Sequence, residues 1–80
     1  MITEQTLEVV QQLPPIRRVL RDVGVAEKLG ISARMVYKLA QQDASFPKSF
    51  KLSGTTVAVW DEQEVDVWLE ASKHAYRSQQ

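Results

Sequence analysis

The chain has 80 residues, ten Lys and Arg balanced by ten Asp and Glu for zero formal net charge, 44% hydrophobic residues and no cysteine. That length holds one small domain, the composition is globular rather than disordered or collagenous, and the lack of thiols excludes a disulfide framework or a cysteine-built metal site. No apolar run approaches the roughly 18 residues of a membrane span, and no basic stretch leads into an apolar one at the start, so a cytoplasmic chain with no membrane partner is expected.

Thr3 suits a helix N-cap, and Leu7, Val10 and Leu13 recur at helical spacing, which predicts a short helix over 3–13. Pro14-Pro15 ends it, because the residue before a proline avoids helical geometry. Residues 1–16 therefore form an expected N-terminal extension that packs on the domain, pairs with another chain or frays. Residues 17–76 form the expected domain, with a frayed tail over 77–80.

Arg17 to Arg21 is short and partly β-branched, as a brief strand would be. Asp22 then predicts an N-cap, with Val23, Ala26 and Leu29 at helical spacing and Gly30 where a helix end favours a left-handed residue. Ser32 predicts a second N-cap, and Arg34–Gln42 a second helix with Val36, Leu39 and Ala40 on one face. Two short helices joined through a glycine-based turn make a helix-turn-helix.

Asp43 to Pro47 reads as a loop. Ser49–Leu52 and Thr56–Trp60 read as the strands of a hairpin turning at Ser53-Gly54-Thr55, with Val57 and Val59 alternating about Ala58. Asp61 predicts the cap of a third domain helix, with Glu64 completing a capping box and Val65, Trp68, Leu69 and Ser72 forming an apolar stripe. The expected fold class is mainly α with a small β-hairpin, a winged helix-turn-helix. A helix about 10–12 Å across fits a major groove about 12 Å wide, which makes double-stranded DNA the expected partner.

Zero net charge conceals three blocks. Residues 1–16 carry two acids and no base. Residues 17–60 carry eight bases against Asp22, Glu27 and Asp43, a net +5, and residues 61–80 carry five acids against Lys73 and Arg77, a net −3. The basic middle suits a polyanion and the acidic ends turn away from it, against the alternative of an inert mixed surface.

The stretches Arg18-Val19-Leu20-Arg21, Val25 through Ser32, Val36-Tyr37-Lys38-Leu39, Phe46-Pro47-Lys48, Lys51-Leu52, Trp60 and Glu64 through Leu69 together resemble the AlpA-type phage regulators and the related small excisionases, over residues 17–72. The resemblance implies a MerR-like winged helix protein of a prophage or genomic island. It implies a transcription regulator, or a recombination directionality factor that assists a tyrosine integrase and self-associates on DNA. Three departures stand out. The hairpin tip Ser53-Gly54-Thr55-Thr56 lacks the arginine that usually follows a glycine pair, Asp43-Ala44-Ser45 replaces the usual glycine after the second helix, and the hairpin runs one residue longer before Trp60.

Within that frame the recognition helix offers Ser32, Ala33, Arg34, Met35, Tyr37, Lys38 and Gln41. Arg34 is expected to contact a base or a phosphate, since arginine is the commonest reader of guanine, and Lys38 is the expected phosphate contact on the same face. Ser32 doubles as a cap, Met35 as a half-buried filler, and Tyr37 either supports the core or donates its hydroxyl to phosphate. Wing and flank candidates are Lys48, Lys51, Thr55, Thr56, Arg17, Arg18 and Arg21. Trp60, Trp68, Phe46 and Phe50 read as core, and the lone His74 as a helix-end residue. The acidic run from Asp61 to Asp66 is explained by capping and the helix dipole, so no catalytic set, metal or cofactor is expected. The alternative function is a protein-interaction or DNA-packaging recognition module on the same fold.

Overall fold

In the computed structural model residues 2–12 and 18–78 are described. The expected helix stop at Pro14-Pro15 and the basic Arg17 lie outside them. Thr3 caps α1 (Glu4–Val10), its hydroxyl accepting from the Thr6 amide at 3.2 Å. The helix is shorter than the spacing predicts, with Gln11 at its C-cap, and none of its residues is buried.

The helix-turn-helix forms as local chemistry dictates. It pairs α2 (Asp22–Leu29) with α3 (Ala33–Gln42). Gly30 takes φ 71°, ψ 32°, a left-handed conformation that a Cβ disfavours, and so reverses the chain after α2. Ser32 caps α3, its Oγ accepting from the Met35 amide at 3.2 Å. Two expectations in α2 are corrected. Arg21, not Asp22, is the N-cap, without a side-chain bond, and Asp22 begins the helix. Val23 is 59% exposed whereas Val25 is fully buried, because α2 turns the face of Val25, Ala26 and Leu29 inward. On α3, Val36 is buried and Leu39 packs on the core, but Ala40 is exposed.

The predicted hairpin is part of a three-stranded antiparallel sheet in the order β1-β3-β2, with β1 Val19–Leu20, β2 Phe50–Lys51 and β3 Ala58–Asp61. The central strand pairs Asp61 with Val19 and Trp60 with Leu20 on one side, and Val59 with Phe50 and Ala58 with Lys51 on the other. Val59 and Trp60 are consecutive and both buried, so simple alternation fails on this middle strand. Phe50, on the edge strand, is 38% exposed rather than core.

Asp61 ends β3 and its Oδ1 accepts from the Gln63 amide at 2.9 Å, starting α4 (Glu62–Ser78). Val65, Trp68 and Ser72 face inward, whereas Leu69 is 40% exposed. Arg77 and Ser78 continue this helix rather than fraying, and the last two residues lie outside the described set. The core gathers Leu20, Val25, Ala26, Val36, Phe46, Trp60 and Val65 from every element but α1 and β2. Trp60 anchors it, its indole N–H donating to the Pro47 carbonyl at 3.2 Å. Among the described residues no polar side chain is buried, as suits a core too small to hold a polar network.

Candidate nucleic-acid interface

The outer face of α3 follows from its inner one. Ala33, Val36 and Leu39 point to the core, so a period of 3.6 residues turns Arg34, Lys38 and Gln41 the opposite way. All three are exposed. Among the described residues neither Arg34 nor Lys38 has a carboxylate within ion-pair distance. The helix sequence ARMVYKLAQQ contains no acid, so its two charges present an unopposed positive stripe. Met35 borders the stripe at 39% exposure.

Not every expected residue joins it. Ala33 packs against the core beside Leu29 and Ile31. Ser32 spends its hydroxyl on the helix cap. Tyr37 is exposed but engaged: its hydroxyl donates to Asp22 Oδ2 at 3.1 Å, and its ring meets Trp60 edge-on at 6.0 Å. The hydrogen bond to Asp22, helped by partial desolvation, raises the phenol's pKa, and the nearby Arg21 guanidinium opposes the rise. Arg21 is exposed at the N-cap of α2. Tyr37 and Asp22 lock α3 onto α2, an interaction fifteen residues apart in sequence that no local pattern signals.

Lys48, Lys51, Thr55 and Thr56 are all exposed on or beside the wing. The Thr55 hydroxyl is committed to the tip, donating to the Leu52 carbonyl at 2.9 Å and accepting from the Val57 amide at 3.2 Å. Gly54, at φ 80°, supplies the left-handed residue this tip needs. Arg18 lies elsewhere. Its carbonyl accepts from the Glu62 amide at 3.0 Å, and it borders a small cleft with Glu27, Lys28 and Glu62, on the α2–α4 side. Arg17 is outside the described residues.

One base of the +5 block is already answered. Lys28 Nζ stands 2.8 Å from Asp66 Oδ1 and 3.4 Å from Glu62 Oε2, joining α2 to α4. Its pKa is raised chiefly by the hydrogen bond to Asp66. Part of the acidic run thus clamps helices together, beyond the capping that the sequence suggested.

Two helices joined by a left-handed glycine, a three-stranded antiparallel sheet and a closing helix define a small protein of the winged helix-turn-helix type. Over residues 18–73 the chain matches the family described as Prophage CP4-57 regulatory protein (AlpA), and it belongs to that family. The matched span takes in the helix-turn-helix, the wing and most of α4, and leaves out α1. No curated protein and no solved structure matches the chain. Among the described residues no helix is long and apolar enough to cross a membrane.

Proposed function

We propose that this chain is a non-enzymatic, sequence-specific binder of double-stranded DNA that regulates a prophage or genomic island. The observation that carries the reading is the α3 stripe of Arg34, Lys38 and Gln41: exposed, free of acid on its own helix, and on a helix braced by α2. The helix inserts into the major groove, where Arg34 reads a base edge and Lys38 neutralises phosphate. Lys48 and Lys51 hold the backbone beside the groove, and Arg21 does so from the start of α2. The committed hydroxyl of Thr55 leaves the wing tip to Thr56 and the backbone, so the lysines supply the wing's charge.

The finer role follows the family likeness. The chain acts as an excisionase, directing recombination by a tyrosine integrase, or as a transcription regulator at the same kind of site, binding in several copies along the DNA at the nucleoid. A gel shift with fragments of the DNA that flanks the chain's own gene tests the DNA reading. Retention of a discrete fragment over scrambled competitor supports it, and an excision assay with and without the chain separates the two roles.

A further inference from the structure

We propose that the groove between the 43–47 loop and the flank of α4 that carries Val67, Trp68 and Ala71 is a docking site for a basic amphipathic helix of another protein. The groove holds about 800 Å³. Its floor is apolar: Val67, Trp68, Ala71 and Ala75 lie along one side of α4, with alanines where a partner's larger side chains need room. Val67 is 63% exposed and belongs to no part of the core.

The wall is acidic. Asp43, Asp61 and Glu64 stand around the floor, and among the described residues no Lys or Arg lines the groove. Asp43 and Asp61 each use one oxygen on a local amide, of Ser45 and of Gln63, which fixes both carboxylates in place. Trp68 is held as well: its indole N–H donates to Ser45 Oγ at 3.3 Å, and its ring meets Phe46 edge-on at 4.9 Å. The surface is therefore preorganised, which lowers the cost of binding.

Charge decides between occupants. The chain's own α1 exposes Leu7, Val9 and Val10 but brings Glu4 and Glu8, and would set like charge against the wall. A second copy packing α4 on α4 brings no base to the three carboxylates, because Lys73 and Arg77 lie off this face and Lys73 faces Glu70 at 3.7 Å. A helix with an apolar ridge flanked by Lys or Arg satisfies both floor and wall. Neither Arg34 nor Lys38 lines the groove, so this inference stands apart from the DNA reading and is tested without DNA.

The probe is a synthetic helical peptide with leucines at i, i+3, i+4 and i+7 flanked by lysines, compared with the same peptide carrying glutamates. Trp68 borders the groove whereas Trp60 is 1% exposed, so a change in tryptophan emission reports on the site. The lysine peptide should bind saturably, and the glutamate peptide should not. Glu64→Lys and Ala71→Arg should each weaken binding about tenfold or more, while Glu27→Lys on α2 should not, with circular dichroism confirming that each variant is folded. Equal binding of the two peptides, or indifference to Ala71→Arg, overturns the proposal. Sedimentation without peptide supplies a further check: a dimer that Ala71→Arg dissolves gives the groove to a second copy and likewise overturns it.

Discussion

Lys28 and Lys38 carry the same charge on adjacent helices, yet they should answer differently to DNA. Lys28 is clamped between Asp66 and Glu62, at 2.8 and 3.4 Å. Lys38 is exposed on a helix without acids. Each phosphate neutralised releases condensed counterions and adds about 0.9 to the slope of log K against log salt. Among the described bases without an ion pair, Arg34 is the base contact of the DNA reading and Arg21, Lys38, Lys48 and Lys51 are its phosphate contacts, which gives a slope of about −3.6. Lys38→Ala should flatten it to about −2.7 and weaken cognate and scrambled duplexes alike. Lys28→Ala should leave the slope unchanged. Arg34→Ala should instead weaken the cognate duplex selectively, by about 1–3 kcal/mol, as the loss of a base contact does. Fluorescence anisotropy across a salt series, on both duplexes, reads all four proteins. A wild-type slope near zero would remove DNA as the partner. Equal flattening by Lys28→Ala and Lys38→Ala would refute the division between clamped and free bases.

Trp60→Ala, at the centre of the core, should cost about 3–5 kcal/mol, a large share of the stability of so small a domain; thermal melting within a degree or two of wild type would contradict its place there. Gly30→Ala meets no steric neighbour but must adopt φ 71°, so it should cost about 1–2 kcal/mol, read as a lower denaturant midpoint at unchanged m. The Ser45 hydroxyl and amide hold the Asp43 carboxyl below its usual range. A depressed pKa in the folded state adds stability above the unfolded value and loses it as pH falls through the folded one, so the stability gap between wild type and Asp43→Asn should close below about pH 4. A gap that stays constant from neutral pH down to pH 3 would show that Asp43 contributes no charge-linked stability.

Most of what the sequence by itself determined about this protein is local. Ser32 caps the helix that starts one residue later, and Gly30 turns the chain because only a residue without Cβ adopts its conformation freely. The stripe of Arg34 and Lys38 opposite Val36 was legible because a helix repeats every 3.6 residues, so a buried position names its exposed ones. The family was legible too, in the order of short motifs from Arg18 to Leu69. Tertiary structure decided the rest, wherever partners lie far apart along the chain. It chose Val25 over Val23 for the buried face of α2, because both fit a helical period and only packing selects between them. It buried Val59 and Trp60 together on β3, which takes cover on both faces of that strand, where a half-buried hairpin strand predicts alternation. It tied Tyr37 to Asp22 and Lys28 to Asp66 across helix boundaries, taking two acids, a hydroxyl and a base out of the reckoning that composition had made. Charge counted along a sequence ignores distance, whereas the field a partner meets depends on which charges the fold has already brought within a few ångströms of each other.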